Sequence, residues 1–186
     1  MKVAIVGLAP STHDLAPWSD STWEKWGLPW DDKGWALMDR HFEMHDMRLL
    51  TSEHSKRKSG YFDRLSECPK LYMQQAYFDA PTSKRYPFEA VADSIGQAYW
   101  NSSIAYAMAL AIHERAREIA IYGVDMDGSD EYGYQKANME YLIGVARGQG
   151  INVYVPPESA LCKFAPSGIK FYDYMPTYVD RYGWLG

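Results

Sequence analysis

The sequence predicts an α/β protein built as a three-layer, doubly wound and mostly parallel sheet. Its first residues, MKVAIVG, form a short apolar strand that runs directly into a Gly/Pro/Ser corner at residues 7–11. A second run, residues 118–125, is apolar almost throughout, as a central parallel strand must be. Strand and helix patterns follow one another along the chain, which favours right-handed crossovers. Together these observations predict a Rossmann-like fold.

Length and composition predict a single domain. The chain has 186 residues, so we expect one core in residues 1–165 and an irregular, aromatic tail, residues 166–186, packed on it. The net charge of −5 argues against general nucleic-acid affinity. The two cysteines are far apart, and no segment resembles a signal peptide or a membrane span. We therefore expect a cytoplasmic protein that binds no membrane, and the sequence leaves a homo-oligomer open.

The first half of the chain predicts short elements between turns. Residues 22–28 predict a second strand, and residues 35–42 a brief helix that residues 40–45 either close or replace with a third strand. The polar residues 46–66 fit a helix or a loop. A strand is predicted at residues 70–74, and prolines indicate an extended loop at 79–87 and a helix at 88–96.

The second half predicts the longest elements. Residues 102–114 form an almost wholly apolar helix that Asn101 or Ser102 can cap, so this helix belongs inside the protein, packed on the sheet. After the strand at 118–125, the sequence predicts an amphipathic helix from about residue 134 to residue 148. Gly150 follows it and favours the end of the helix. Residues 152–156 predict the last strand.

Polar corners that follow the strands predict a ligand site. In a doubly wound sheet the ligand crevice opens at the carboxyl ends of the strands. Four corners meet there in our prediction: residues 7–11, 123–127 and 156–159, and the helix start at residues 101–102, whose N-terminus would favour a phosphate. The predicted nucleotide-binding residues are Gly7, Pro10, Ser11, Asn101, Ser102, Ser103 and Ser159.

Asp125 and Asp127 form a D-x-D pair at the end of the strand predicted at residues 118–125. Adjacent carboxylates at a strand end are what a divalent ion bound to a diphosphate requires, so the pair is a candidate metal site. Asp125 alone could instead hold a ribose hydroxyl or orient an amide. Beyond this loop, Tyr132, Gln135 and Asn138 could project into the same crevice, although polarity at a helix entry explains them equally well.

His45 is the candidate general base. In an extended segment Glu43 and His45 lie on one side, and a carboxylate beside an imidazole increases its basicity. His45 and Asp125 are therefore the predicted catalytic residues, with a hydrogen-bonded structural histidine as the alternative. His13, behind the first turn, is the competing candidate. The remaining histidines, which we expect at the surface, are His41, His54 and His113.

Four segments in order resemble the bacterial sialyltransferases that use CMP-sialic acid, and are similar to the archaeal pterin diphosphokinase-like proteins: residues 3–11 (VAIVGLAPS), 101–112 (NSSIAYAMALAI), 118–126 (EIAIYGVDM) and 151–159 (INVYVPPES). Small uncharacterised proteins of tailed bacteriophages look closest. That likeness rests on residues 23–28 (WEKWGL), 42–45 (FEMH) and 140–147 (EYLIGVAR).

The resemblance implies a Rossmann-like fold and a nucleotide held between the first turn and a helix start. In the sialyltransferases the first turn reads Gly-Asn-Gly-Pro-Ser, which corresponds here to Gly7, Pro10 and Ser11, with Leu8 and Ala9 in place of Asn and Gly. Their Thr-Ser-Gly helix start corresponds to residues 101–103. A second asparagine of those enzymes is replaced here by Pro29, and their catalytic lid has no counterpart.

These observations predict a nucleotide-dependent transferase, glycosyltransferase-like or diphosphokinase-like. Its ligand would be a nucleotide or nucleotide sugar, with a divalent metal ion as a further candidate, and His45 and Asp125 would flank the acceptor. The alternative is a non-catalytic phage protein, active in the host cytoplasm, that binds a nucleotide signal or a host protein. A third interpretation is an assembly protein whose sheet is only a scaffold.

Overall fold

The computed structural model describes residues 1–50, 60–126 and 131–162. The strands in this part of the chain are β1 (Lys2–Val6), β2 (Trp23–Gly27), β3 (Arg40–Glu43), β4 (Leu71–Met73), β5 (Ser83–Arg85), β6 (Glu118–Tyr122) and β7 (Asn152–Tyr154). The α-helices are α1 (Met47–Leu50), α2 (Tyr61–Glu67), α3 (Phe88–Ile95), α4 (Ser103–His113) and α5 (Glu131–Gly148), and 3-10 turns lie at His13–Leu15 and Trp35–Leu37.

The seven strands form one sheet in the order β5-β4-β3-β2-β1-β6-β7, and every neighbouring pair is parallel. The predicted α/β, Rossmann-like class is therefore confirmed. From β1 the chain builds the sheet outward on one side as far as β5, and it then crosses to the other side of β1 for β6 and β7. This reversal places a topological switch point between β1 and β6, where open α/β sheets bind their ligands.

One face of the sheet carries the main core. Side chains of β1, β2 and β6, including Ile5, Trp26 and Ile121, are fully buried there in the same hydrophobic cluster as α4 and α5. Nine of the eleven residues of α4 are buried, as the sequence predicted for an inner helix. Full burial of each large apolar side chain contributes about 1.5–3 kcal/mol, so this face supplies most of the driving force for folding.

The opposite face is covered by shorter elements. Helix α2 packs Leu65 on Leu71 and Met73 of β4 within a second cluster. A smaller cluster places Ala4 and Val6 of β1 under the loops that carry Ala16 and Met38. The third layer therefore consists largely of loops and 3-10 turns, which explains why the sequence between β1 and β3 shows little helical periodicity.

Two element predictions were wrong. The predicted loop at 79–87 contains β5, a three-residue edge strand whose Lys84 and Arg85 are exposed, so it shows none of the apolar pattern of a central strand. The predicted helix at 35–42 is only a 3-10 turn before β3 begins at Arg40. Helix α5 begins at Glu131, three residues before its predicted start. The predicted tail, residues 166–186, lies outside the described residues.

Candidate functional site

A cleft of about 880 Å³ opens at the carboxyl ends of β1 and β6, at the switch point of the sheet. Its volume is that of a pocket for a molecule of drug or nucleotide size. Six of the predicted catalytic and binding residues line it together: Gly7, His45, Asn101, Ser102, Ser103 and Asp125. Tyr132 and Gln135, at the start of α5, line it as well. The cleft is thus formed by the loops after β1, β2, β3 and β6 and by the first turns of α4 and α5.

The floor of the cleft is a close approach of two backbones. The Gly7 N–H donates to the Tyr122 carbonyl at 2.8 Å, and the Ala9 N–H donates to the Gly123 carbonyl at 2.8 Å. A Cβ on Gly7 would lie 2.4 Å from the Gly123 oxygen. Gly123 has a φ of +62°, and the Thr12 hydroxyl oxygen accepts its N–H at 2.7 Å. Only glycine fits this junction, so the first corner is shaped by its packing on the loop after β6.

The N-terminus of α4 points into the cleft. Ser102 is the N-cap, and its hydroxyl oxygen accepts the Ala105 N–H at 3.2 Å. Within the described part of the chain, the N–H groups of Ser103 and Ile104 have no hydrogen-bond partner. Exposed first-turn N–H groups and the helix dipole attract negative charge, so this turn can hold a phosphate or another anion.

His45 lies on the cleft wall beside a buried carboxylate. Its Nδ1 is 2.5 Å from Oε1 of Glu43, whose side chain is completely buried, and the His45 ring meets Trp30 edge-on at 5.7 Å. The Tyr61 hydroxyl of α2 donates to the other oxygen of the Glu43 carboxylate. The predicted pairing of Glu43 with His45 is therefore present. When Nδ1–H donates to Glu43, Nε2 carries the ring's lone pair and can accept a proton.

Asp125 lines the cleft in the loop after β6, three residues beyond Tyr122, where the strand ends. Its Oδ1 accepts the Ala160 N–H at 3.2 Å, which holds the carboxylate in place. The next residue, Met126, has a φ of 50°, a left-handed conformation that is uncommon outside glycine. Asp127, its proposed metal-binding companion, lies outside the described residues. In the described ranges, no group of three ligating side chains could hold a metal ion.

Three predicted binding residues lie away from the cleft. Pro10 and Ser11 are exposed and do not line it, because after Ala9 the chain turns towards the 3-10 turn at His13–Leu15. Leu8 and Ala9 line the cleft in their place. Ser159 is buried, and its hydroxyl donates to the Val124 carbonyl at 2.8 Å. Ser159 therefore braces the loop after β6 in this structure and does not line the cleft.

Two histidine predictions also need correction. His13 is buried and structural, because its Nε2 lies 2.8 Å from Asp31 and its Nδ1 lies 2.9 Å from Asp14. Burial alone would lower the pKa of His13, but these two carboxylates outweigh it and raise the pKa. His41, predicted at the surface, is fully buried, and in the sheet register it pairs with Leu71 of the second cluster. Its Nε2 donates to the Trp35 carbonyl at 2.8 Å.

Asn138, which the sequence placed as a possible contact in the crevice, lies elsewhere in the structure. It is buried in the middle of α5 and does not line the cleft, because its turn of the helix packs on the core.

The cleft walls combine aliphatic and aromatic side chains with two carboxylates. Trp30, Trp100 and Tyr132 provide flat surfaces, while Asp125 and Glu131 supply the negative charge. No lysine or arginine lines the part of the cleft that the structure describes. Sequence reasoning missed Trp30 and Trp100, although Trp100 adjoins the predicted helix start at Asn101. Tyr61 carried no signal, because it reaches the site from a helix with no polar motif.

No family model, curated protein or solved structure matches this chain. The resemblance to sialyltransferases, pterin diphosphokinase-like proteins and phage proteins therefore stays a prediction. Among the helices that the structure describes, none is long and apolar enough to cross a membrane.

Proposed function

We propose that the protein is a nucleotide-dependent transferase whose ligand lies in the cleft between β1 and β6. The observation that carries this proposal is the meeting of three groups in one cavity: the α4 N-terminus, aromatic walls and the His45–Glu43 pair. The helix N-terminus suits a phosphate, and the aromatic rings suit a nucleobase. Asp125 suits a ribose or sugar hydroxyl. We place this activity in the cytoplasm, that of the host if the chain is encoded by a phage.

In this proposal His45 acts as the general base. Its Nε2 takes the proton of an acceptor hydroxyl, and the acceptor oxygen forms a bond to the electrophilic carbon or phosphorus of the donor. The bond from that atom to the phosphate oxygen of the nucleotide breaks, and the nucleotide leaves with the electron pair. The N–H groups of Ser103 and Ile104 lie where they can stabilise the negative charge that develops on this phosphate.

One observation favours non-catalytic nucleotide binding as the second candidate. The described walls of the cleft carry two carboxylates and no basic side chain other than His45. A leaving phosphate would therefore depend on helix N–H groups alone for its neutralisation. A protein that only retains a nucleotide signal avoids the additional negative charge that develops on a leaving phosphate. Mass spectrometry of the nucleotide after incubation with candidate acceptors separates the two functions, because only the transferase changes it.

Nucleotide binding can be tested with two neighbouring tyrosines of α5. Tyr132 lines the cleft, whereas Tyr134 is 73% exposed and does not line it. We expect CMP, UDP or ATP to bind in calorimetry, and Tyr132→Ala to weaken binding by about 5- to 150-fold, since stacking on a base is worth about 1–3 kcal/mol. Tyr134→Ala is the matched control and should bind as the wild type does. If no nucleotide binds, or both variants bind equally well, the proposal is wrong.

A further inference from the structure

The Glu43 carboxylate is the most deeply buried charged group beside the cleft. It ends β3, and its side chain has no exposed surface. Oε1 accepts both the backbone N–H of His45, at 3.1 Å, and the ring Nδ1 at 2.5 Å. Oε2 accepts the hydroxyl of Tyr61, which is itself only 5% exposed. One carboxylate therefore connects a core tyrosine of α2 to a histidine on the cleft wall.

This arrangement is hard to explain by stability alone. Removing a carboxylate from water is costly, and replacing a buried ion pair with apolar residues is often neutral or stabilising. Tyr61, in contrast, belongs to an otherwise apolar cluster with Leu65 and Leu71. The two oxygens of Glu43 are held from opposite sides, one by His45 and one by Tyr61, so the carboxylate cannot rotate without losing a hydrogen bond. Such fixing is what a catalytic histidine requires of the groups behind it.

We propose that Glu43 and Tyr61 are positioning residues for His45, an inference that rests on the proposed transferase function. Glu43 holds the proton on Nδ1 and so keeps the lone pair on Nε2, the atom that takes the acceptor's proton. Tyr61 fixes the orientation of Glu43 and thereby the plane of the imidazole ring. Neither residue touches the substrate or gives up a proton in the reaction. Helix α2 does not line the cleft, but through Tyr61 it contributes to the site.

The tautomer of His45 tests this inference without any nucleotide. The ring nitrogens can be observed by ¹⁵N NMR at alkaline pH, where histidine rings are neutral. We expect His45 to carry its proton on Nδ1 alone in the wild type. Glu43→Gln should give a mixture of both tautomers. Tyr61→Phe should also increase the population of the tautomer protonated on Nε2, seen as a shift or broadening of the His45 ¹⁵N signals. Tyr86→Phe is the matched control, because it also removes a buried tyrosine hydroxyl, one that donates to the Tyr106 carbonyl at 2.9 Å.

The outcomes separate this inference from the proposed function. A wild-type His45 protonated on Nε2, or a tautomer unchanged in Glu43→Gln and Tyr61→Phe, would overturn the positioning role. Equal effects of Tyr61→Phe and Tyr86→Phe on His45 would overturn it as well. A failure of nucleotides to bind would instead overturn the transferase and leave the tautomer result standing. Once a product is known, Tyr61→Phe should lower kcat on the order of 10-fold with KM unchanged, less than the 10²–10⁴ that a general base supplies.

Discussion

At the scale of single residues, the shape of the cleft depends on Gly7, because a residue with a Cβ would not fit at this position. A Cβ there would meet the Gly123 oxygen at 2.4 Å and the Val124 side chain at 2.9 Å, and the first of these is backbone that cannot yield easily. We expect Gly7→Ala to destabilise the protein by about 1–3 kcal/mol, the usual cost of overpacking, and to abolish nucleotide binding. Urea unfolding and calorimetry measure the two effects.

Gly144 provides the control for that substitution. It lies inside α5, where an added Cβ would meet nothing within 4 Å. Gly144→Ala should therefore stabilise the protein by about 0.5–1 kcal/mol through helix propensity, with nucleotide binding unchanged. A Gly7→Ala protein as stable as the wild type would contradict the close approach of the two backbones.

Among the site residues, the sequence could predict those that are placed by local rules. Glu43 and His45 were paired correctly because side chains of an extended segment repeat every second residue, a local rule. Ser102 was found because an N-cap residue precedes an apolar helix. Pro10 and Ser11 were misplaced because the turn after Ala9 depends on the bond between Thr12 and Gly123, residues 111 apart in sequence. Tyr61 was missed for the same reason, since its partner Glu43 belongs to another element.

At the scale of elements, α2 connects the second hydrophobic cluster to the site through Tyr61. The reactivity of Cys68 can report on the opening of this helix. Cys68 follows α2 directly, is fully buried and donates its S–H to the Arg64 carbonyl at 3.3 Å. Burial raises the pKa of this thiol to about 12. We expect Cys68, in a Cys162→Ala background, to be alkylated much more slowly than an exposed cysteine, because the buried thiol reacts only after α2 opens.

Two core truncations distinguish local opening of α2 from global unfolding. Leu65→Ala removes a buried side chain of α2, and Ile143→Ala removes one of α5 on the other face of the sheet. If α2 opens as a unit, Leu65→Ala should accelerate the alkylation of Cys68 more than Ile143→Ala does at equal loss of stability. Equal acceleration by both variants would show that Cys68 reacts only through the unfolded state.

At the scale of the whole molecule, the order of the elements could be predicted, whereas the layering could not. Strands β1 and β6 and helix α4 are apolar on all sides, so each must be buried whichever elements it packs against. These three elements are sufficient to predict a doubly wound α/β sheet. The third layer gave no such signal, since loops and 3-10 turns cover much of that face. His41 illustrates the consequence: its burial follows from the covering layer, which local patterns in β3 do not reveal.

The buried histidines His13 and His41 make the stability of the whole protein depend on pH in opposite directions. Burial lowers the pKa of His41 below its ordinary value of about 6.5, and protonation would place an N–H on Nδ1, which has no partner in the described structure. The unfolded state then binds more protons, so His41 costs stability as pH falls below about 6.5. The pKa of His13 is raised, so the stability that its ion pairs contribute is present below about 6.5 and is lost as pH rises above it.

We therefore expect the free energy of unfolding to have a maximum near pH 6.5, measured by urea titration between pH 5 and 8.5. Asp46, whose pKa its hydrogen bonds with Arg48 lower to about 2, stays ionised throughout this range. His41→Gln keeps a donor for the Trp35 carbonyl but cannot titrate, so it should flatten the acid side of the curve by up to about 1.4 kcal/mol for each unit of pKa shift. His13→Gln should flatten the alkaline side alone. If His41→Gln alters the alkaline side instead, the sign assigned to these two histidines is wrong.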